Sequence, residues 1–422
     1  MPSSSRSPTP LCASDPSVST TTATHPGVTT AELLATFRPV FDRIAEGAAE
    51  RDRTRRRPHE QVDLLKQARF GALRLSRDEG GFGATLEQEH VLLIELGAAD
   101  SNLPQIWRNH FAFVEDVLFD DEAGLNEQWR ARIAEGALFG GAWSEAGGRS
   151  FFDMSTTLTG TADGAVLHGK KFYSTGSLFA DWISVLATGP EADQVSLVLI
   201  EADATGVTLV DDWDGIGQRL TGSGTTTFDA VAVPGGRWYP FAQRARYQEA
   251  VYQLNHLATL AGICRAAQRD LTDAVRSRLR NYPQGLAAAP REDGQIQEVV
   301  GRVSALASSA EASVRWAARG LDNAVAVLAI DPASDAPEVV DALRAATIAV
   351  YEAQLTVTDA ALQASTLLFD ALSSSALAED RALDRHWRNA RTVASHNPRV
   401  YKARLVGDWH LNGADPSAAF TP

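Results

Sequence analysis

A β-rich segment interrupts a sequence that is otherwise helical, and this interruption limits the folds open to the chain. Between residues 137 and 238, short runs of β-branched and aromatic residues alternate with turn residues. The stretch Thr161-Ala162-Asp163-Gly164 is typical of a hairpin, because Asp-Gly supplies a left-handed turn. Strands at this spacing over roughly 100 residues predict a small antiparallel barrel or sandwich.

Helical periodicity flanks the β-rich segment on both sides. Apolar residues at three- and four-residue steps predict helices before it, at about 30–57, 59–70, 86–100, 104–119 and 123–135. Long alanine- and leucine-rich segments predict a four-helix bundle after it, at about 241–281, 293–326, 335–373 and 379–396.

The predicted fold class is therefore α+β, mainly α, with three domains. An N-terminal helical domain covers residues 29–136, a central small antiparallel β domain covers 137–238, and a C-terminal four-helix bundle covers 239–422. Residues 1–28 are rich in Ser, Thr and Pro and lack an apolar signal region, which predicts a disordered tail.

Charge and composition exclude several classes of partner. A net charge of −14 argues against nucleic acid or an anionic membrane, and no apolar run approaches the ~18 residues of a membrane span. The cysteines Cys12 and Cys264 form neither a disulfide framework nor a zinc spacing, so we expect a cytoplasmic protein without a metal site. The glycine-rich loop Asp78–Ala84 lacks the pattern of a phosphate or dinucleotide loop.

The stretch Arg385–Pro398 (RHWRNARTVASHNP) carries the densest chemistry in the chain. On a helix, Arg388, Thr392 and His396 share one face. Pro398 disfavours the helical conformation in the residue before it, which places His396 at or near the helix C-terminus. A surface helix end whose basic residues complement the helix dipole is the alternative interpretation, and the pattern alone does not choose.

Four motifs, taken with the order of the domains, resemble the acyl-CoA dehydrogenase fold. Ala142–Ser150 (AWSEAGGRS) resembles the family's Thr-Glu-Pro-x-Ala-Gly-Ser segment. Leu167–Gly176 (LHGKKFYSTG) resembles its Asn-Gly-x-Lys-x-aromatic-x-Thr/Ser strand, and Gly215–Ser223 (GIGQRLTGS) resembles its Gly-x-Arg-x-Ser segment. The fourth motif is Arg385–Pro398.

The fourth motif separates two branches of that family. Dehydrogenases carry a Glu base in a Tyr-Glu-Gly-Thr context at the end of the bundle, where this chain has Ser395-His396-Asn397-Pro398. The pattern is similar to that of the two-component flavin monooxygenases of the dibenzothiophene monooxygenase type. Val393 stands where sulfur-oxidising members commonly have His, a departure that counts against sulfur substrates but leaves the flavin chemistry untouched.

The resemblance implies a particular reaction. A separate NAD(P)H:flavin reductase delivers reduced FMN, or alternatively FADH2, and the flavin forms a C4a-hydroperoxide with O2. The enzyme, a homotetramer, then oxygenates a small organic substrate, with organosulfur or aromatic compounds weakly favoured. An acyl-CoA dehydrogenase-like oxidoreductase with bound FAD is the second hypothesis, and a non-enzymatic helical scaffold is the third.

The resemblance also implies roles for individual residues. His396 donates a proton or hydrogen bond to the oxygenated flavin, and the hydroxyl of Thr175 faces the flavin N5/O4 edge. The remaining residues fall into three groups, which are the flavin pyrimidine side (Gly141, Ala142 and Ser144), the substrate pocket (Asn109, His110 and Trp213) and the flavin phosphate (Ser374, and Arg280 from a neighbouring subunit). For the phosphate arginine, Arg276 and Arg278 stay open as alternatives to Arg280.

Overall fold

The structure is a computed structural model that describes residues 27–119, 125–145, 153–191, 194–330 and 333–416. Of the predicted disordered tail, residues 1–26 lie outside the described residues. Residues 146–150 of the first motif (AGGRS) also lie outside the described residues.

The N-terminal part is helical, and capping boxes set where α1 and α4 begin. These helices are α1 (Thr30–Ala45), α2 (Ala48–Thr54), α3 (His59–Gln67), α4 (Leu86–Ala99), α5 (Leu103–Phe119) and α6 (Leu125–Ala134). Helix α1 starts at a capping box between Thr29 and Glu32. The single helix predicted over 30–57 is in fact two, because Gly47 adopts a left-handed conformation (φ +69°) between α1 and α2.

A mixed but mainly antiparallel sheet follows. Its strands are β1 (Phe139–Ala142), β2 (Thr157–Thr161), β3 (Gly164–Lys171), β4 (Trp182–Thr188), β5 (Val195–Glu201), β6 (Val207–Val210), β7 (Thr225–Pro234) and β8 (Trp238–Pro240). The strand order is β6-β7-β3-β2-β4-β5-β8, and β1 lies beside β4. The pairings of β1 and of β2 with β4 are parallel, and the other strand pairings are antiparallel as expected.

The predicted hairpin connects β2 and β3, but its turn differs from the expected Asp-Gly turn. Thr161 pairs with Gly164, so Ala162 and Asp163 form the loop. Gly164 has φ +148°, and a Cβ there would lie 2.4 Å from the carbonyl oxygen of Val233 on β7. Glycine is therefore required for close strand approach.

Long helices form the C-terminal part, with one more helix than predicted. They are α7 (Gln248–Ser277), α8 (Gly294–Leu328), α9 (Pro337–Leu367), α10 (Asp384–Ala394) and α11 (Val400–Asn412). Helix α10 ends at Ala394, so His396 follows the helix instead of closing it. Within the described ranges, none of the helices combines the length and apolar character that crossing a bilayer requires.

Packing between these parts determines where a site can form. One large apolar core joins the N-terminal helices to the bundle, and the strands have a core of their own. An aromatic cluster that includes Phe113, Trp129, Phe139 and Trp182 lies where α5 and α6 meet β1 and β4. Helix α5 thus packs on the sheet at one side and on α7 at the other.

A buried carboxylate ties three parts of the chain together. Oδ1 of Asp52 on α2 accepts a hydrogen bond of 2.9 Å from Arg219 and one of 2.6 Å from Arg388 on α10. Burial alone would raise the pKa of Asp52, but the two arginines more than offset this effect, and its pKa is lowered. Arg219 belongs to the loop of residues 211–224 that connects β6 to β7, which we call the β6–β7 loop.

Candidate functional site

A cavity of about 910 Å³ lies where α5, β1, the β6–β7 loop, α7 and the end of α10 meet. This volume is near the upper end of the range for small-molecule sites, about 300–1,000 Å³. Aromatic side chains form much of its wall, namely Trp143, Tyr173, Trp213, Phe241 and Tyr252. The site therefore draws on every part of the fold.

Residues of the first two motifs form the wall on the β side. Gly141, Ser144 and Thr175 line the cavity, as does Asn109 of α5. A Cβ at Gly141 would lie 2.5 Å from Nδ2 of Asn109, and that same nitrogen donates a 3.1 Å hydrogen bond to the carbonyl oxygen of Thr175. Glycine at position 141 is thus what lets α5 approach this wall.

The hydroxyl of Thr175 belongs to a chain of hydrogen bonds. Its Oγ1 lies 2.8 Å from Oγ of Ser223, which lies 2.7 Å from Oγ1 of Thr221. Thr221 is in turn 2.9 Å from the carbonyl oxygen of Gln218, which can only accept. Each hydroxyl therefore donates its proton to the next group in the chain, and Thr175 donates to Ser223. The lone pairs of the Thr175 oxygen that stay free can accept a hydrogen bond from a ligand. A longer contact of 3.4 Å from Thr175 to the carbonyl oxygen of Tyr173 is the alternative for the same proton.

An ion pair beneath this wall joins the first motif to the second. Oε1 of Glu145 lies 2.7 Å from Nζ of the fully buried Lys171. Glu145 also accepts hydrogen bonds from the backbone amides of Ser155 and Thr156. Burial would raise the pKa of Glu145, but Lys171 and these donors lower it to about 2. The motif carboxylate is therefore structural and does not enter the cavity lining.

Two histidines and an arginine lie together on the bundle side of the cavity. The ring centroids of His256 on α7 and His396 are 4.2 Å apart. His396 keeps accessible surface because it faces the cavity, yet burial and then the charge of Arg108 lower its pKa to about 3. Burial, followed by His396 and Arg108, likewise lowers the pKa of His256 well below its ordinary value. Both rings are therefore neutral at pH 7.

The β6–β7 loop closes the cavity against α10. The indole nitrogen of Trp213 donates to the carbonyl oxygen of Gly217 at 3.2 Å, which fixes the ring at the cavity wall. The amide of Gln218 donates to Oδ1 of Asn389 at 2.7 Å. A Cβ at Gly217 would lie 2.1 Å from the carbonyl oxygen of Arg388, so the loop and the helix are in direct backbone contact.

Two predicted site residues point away from the cavity. His110 is fully buried, with Nε2 3.0 Å from the carbonyl oxygen of Gly71, and Nδ1 accepts from the amide of Phe139. One residue along a helix turns the side chain by about 100°, so His110 enters the core while Asn109 reaches the cavity. The side chain of Ala142 belongs to the core of the sheet, because neighbouring residues of a strand face opposite sides.

The predicted flavin-phosphate residues lie elsewhere on the surface. Arg280 and Ser374 are exposed, and neither lines the cavity of its own chain. Arg278 donates to the carbonyl oxygen of Ala371 at 2.9 Å, which brings the segments carrying Arg280 and Ser374 together. In the fourth motif, Arg388 pairs with Asp52 and Asp384, and His386 lies 2.9 Å from Asp270, so both are structural. Arg391 lines the cavity.

Several cavity residues were not found from the sequence. They are Arg108, Tyr252 and His256, together with Thr221 and Ser223 of the third motif. Polar residues in the otherwise apolar, buried face of α7, such as Asn255 and His256, were the available signal. The one lining carboxylate among the described residues, Glu249, is exposed and lies 3.3 Å from Arg244. Within the described ranges, no group of His, Cys, Asp and Glu side chains is placed to hold a metal ion.

Comparison with known proteins agrees with this geometry. The chain matches the family "Acyl-CoA dehydrogenase, middle domain" over residues 140–231 and "Acyl-CoA dehydrogenase, C-terminal domain" over 254–399, which together exceed half of its length. The probable FMNH2-dependent monooxygenase SfnC of Pseudomonas putida is 26% identical over 396 residues, covering 92% of this chain and 96% of that protein.

Two further relatives are described by their activity or their ligand. A dibenzothiophene monooxygenase of Rhodococcus qingshengii is 27% identical over 406 residues, covering 92% of this chain and 95% of that protein. The crystal structure of FMN-bound TdsC from Paenibacillus sp. A11-2 superposes with a TM-score of 0.80 at 26% identity, covering 90% of this chain and 98% of that one. The chain therefore belongs to the acyl-CoA dehydrogenase family and, within it, to the flavin-dependent monooxygenases.

Proposed function

We propose that this protein uses reduced FMN and O2 to oxygenate a small organic substrate inside the 910 Å³ cavity, with FADH2 as the alternative cofactor. The observation that carries the proposal is that His396 and Thr175 line the same cavity. The bound reduced flavin supplies the electrons that activate O2. Everything else in the reaction depends on how this chain binds, orients and shields the reactants.

The cavity suits a flavin in size and in chemistry. Its aromatic walls offer flat apolar surface to a tricyclic ring. Ser144, Thr175 and Asn109 place hydroxyl and amide groups along the β-side wall, which fits the polar edge of the ring. Oε1 of Gln218 is buried without a hydrogen-bond partner in the described part of the chain, so an acceptor is left over for a ligand. We infer that the flavin ring lies against this wall.

In this proposal Thr175 selects the reduced cofactor. Its proton is committed to Ser223, so its oxygen accepts hydrogen bonds from the cavity. Reduced flavin carries a hydrogen on N5 and can donate to that oxygen, whereas N5 of the oxidised ring is an acceptor. The hydroxyl chain of Thr175, Ser223 and Thr221 would therefore favour the reduced form.

His396 is proposed to act as a neutral hydrogen-bond donor. Because its pKa is lowered to about 3, the ring carries one N–H and no positive charge at neutral pH. A neutral donor orients and polarises the oxygen to be transferred without delivering the proton that would release it as H2O2. Exclusion of bulk water by the surrounding aromatic walls serves the same end.

We further propose that the flavin is reduced by a separate NAD(P)H:flavin reductase in the cytoplasm. The lack of a dinucleotide-binding fingerprint in the sequence supports a separate partner. A homotetramer is also proposed, in which Arg280 and Ser374 of one copy contact the flavin phosphate of another. Support comes from their exposed positions on adjoining segments, linked by Arg278 and Ala371. Light scattering of the purified protein tests the assembly.

A small organosulfur or aromatic compound is the proposed substrate. The relative that oxygenates dibenzothiophene, an aromatic sulfur compound, supports this choice, as do the aromatic walls of the cavity. Val393, which lines the cavity, replaces a histidine common among sulfur-oxidising members, and we expect its apolar side chain to alter which sulfur compounds fit.

Purification followed by one oxygen-uptake assay tests the function. We expect a protein that is colourless as purified, binds reduced FMN anaerobically, and forms oxygenated product only when reduced flavin, O2 and substrate are all supplied. A yellow protein whose FAD is bleached by an acyl-CoA would instead establish the dehydrogenase. Glu249 is the carboxylate that such a reaction would need, and its pairing with Arg244 speaks against that role.

A further inference from the structure

Four hydrogen-bond donors converge on the bundle side of the cavity, and none is engaged by the described part of the chain. They are the guanidinium of Arg108, the hydroxyl of Tyr252 and the rings of His256 and His396, here called the donor cluster. Arg108 lies with its Cζ 5.2 Å from the centroid of the Tyr252 ring, and the two histidine rings are 4.2 Å apart. Nδ1 of His256 and Nε of Arg108 are buried without a partner.

Arg108 is the unusual member of this cluster. It is only 8% exposed, yet it forms no ion pair or hydrogen bond with any described residue. Other buried arginines are matched, since Arg51 lies 3.1 Å from Asp100 and Arg74 lies 2.7 Å from Glu115. An arginine stays charged in proteins, and a buried unpaired charge is costly. A fold that keeps such a charge at a cavity wall leaves it for a ligand of opposite sign.

The groups around Arg108 do not neutralise it. Glu249 also lines the cavity and attracts Arg108 electrostatically, but its carboxylate is exposed and lies 3.3 Å from Arg244. His256 and His396 are neutral, so they add N–H donors without adding charge. The Tyr252 hydroxyl is a fourth donor, and burial raises its pKa, which keeps it protonated. One cation surrounded by neutral donors matches a singly charged oxyanion.

We propose that the donor cluster binds the oxyanion of a small, singly charged organic substrate, a sulfinate or a carboxylate, through Arg108. This inference deepens the proposed function, on which it rests for calling the ligand the substrate. It requires that the substrate carry one negative charge, which dibenzothiophene, named for a relative, lacks. Arg108 is a binding residue in this scheme, and Tyr252 and His256 complete the oxyanion's hydrogen bonds, while the single N–H of His396 serves the oxygen to be transferred.

The position of the donor cluster distinguishes the substrate from the flavin. Its members belong to α5, to α7 and to the segment after α10. The proposed flavin wall belongs instead to the sheet side and the β6–β7 loop, with Asn109 as its one contribution from α5. A second cavity arginine, Arg391, lies on α10 and is only partly buried. It provides a matched control, because it carries the same charge in the same cavity outside the cluster.

Calorimetric titration of three probes tests the proposal. Benzenesulfinate and benzoate are anions, and methyl phenyl sulfone is an uncharged compound with the same ring. We expect one of the anions to bind the wild-type protein about 10–100-fold more tightly than the sulfone. Arg108→Gln should remove the preference for the anion while leaving the affinity for the sulfone within about twofold of wild type. Arg108→Lys should keep part of the preference, because it keeps the charge but not the planar fork. Arg391→Gln should change the preference by less than about threefold. Which anion binds more tightly identifies the oxyanion.

Three outcomes would overturn the proposal. They are equal binding of anions and sulfone by the wild type, an equal loss of preference in Arg391→Gln, and a loss of FMN affinity in Arg108→Gln that matches the loss of anion affinity. The last result would assign Arg108 to the flavin. Thermal unfolding guards against misfolding, since removing an unpaired buried charge should leave the melting temperature unchanged or raise it. The titrations need neither O2 nor turnover. Anion binding can therefore be refuted while the monooxygenase activity is confirmed, and anion binding can be confirmed while the activity is refuted.

Discussion

The imidazole rings of His256 and His396 lie with their centroids 4.2 Å apart and their planes inclined at 44°. Burial is the main cause that lowers the pKa of both rings, and the positive charge of Arg108 adds to it. A charge on His396 would also oppose a charge on His256 at this separation. The pair therefore stays neutral at pH values at which an isolated histidine would already be protonated. This property makes the site a source of hydrogen bonds instead of protons.

The pH dependence of coupling follows from this neutral pair. Because the pKa of His396 is lowered to about 3, its ring gains no proton as the pH falls from 8 to 5. We expect the ratio of product to H2O2, measured with reduced FMN supplied chemically, to show no ionisation near pH 6.5. A midpoint close to that of a free histidine would contradict the neutral donor.

Replacement of His396 tests its role directly. His396→Ala should bind reduced FMN normally but lose product by about 10²–10³-fold, with H2O2 released in its place, because one preorganised donor is gone. His396→Gln should recover part of the product, since an amide is also a neutral N–H donor. Product analysis and a peroxide assay in the same reaction measure the ratio of product to H2O2. Unchanged coupling in His396→Ala would refute the assignment.

The hydroxyl chain predicts how flavin redox state affects affinity. Thr175→Val removes the acceptor, so reduced FMN should bind about 3–10-fold more weakly, whereas oxidised FMN should be little affected. Ser223→Ala frees the proton of Thr175 to point into the cavity, which should raise affinity for oxidised FMN relative to reduced FMN. Anaerobic titration of both forms gives the ratio. Parallel losses for both redox forms would mean that the hydroxyls only shape the wall.

The Asp52 ion cluster predicts a stability change far from the cavity wall. Asp52→Asn leaves Arg219 without a counter-charge and Arg388 with only the exposed Asp384, which should lower the free energy of unfolding by roughly 2–4 kcal/mol at pH 7. Asp384→Asn is the control, because its exposed carboxylate also contacts Arg388 but should contribute less than about 0.5 kcal/mol. Urea unfolding measures both variants.

The same variants give a pH signature. The pKa of Asp52 is lowered in the folded protein, so its contribution is complete above the unfolded value of about 3.8 and is lost as the pH falls through the folded value. The stability difference between wild type and Asp52→Asn should therefore narrow only in acid, below about pH 4. A difference that narrowed between pH 8 and 6 would assign the effect to another group.

Local patterns predicted most helices and strands, because their signals lie within each segment. Helices α4 and α5 lie close to their predicted bounds, and all the strands lie within the predicted β-rich segment or at its end. The exceptions depended on longer-range or finer information, since a single glycine divides α1 from α2 and the parallel pairing of β1 joins residues about 40 positions apart. The short strand β8 and helix α11 lacked a distinct pattern.

Site residues within motifs were easier to foresee than those supplied by packing. Ser144, Thr175 and His396 of the motifs, and Gly141 and Trp213 beside them, line the cavity, although their roles are proposals. Thr221 and Ser223 lie in the third motif, but their side chains were not singled out. Arg108, Tyr252 and His256 meet there only because α5 packs on α7, and no motif contains them. Of the two neighbouring residues predicted for the substrate pocket, Asn109 lines the cavity and His110 points into the core.

The backbone contact at Gly217 bears on how this cavity can be remodelled. Any side chain there would overlap the main chain of α10 at Arg388, so the loop seats on the helix in a single register. A graft of a foreign β6–β7 segment, made to broaden the range of compounds accepted, would close the cavity only if it carried a glycine at this point and an amide able to meet Asn389. Redesign must therefore treat the loop and α10 as one transplantable unit.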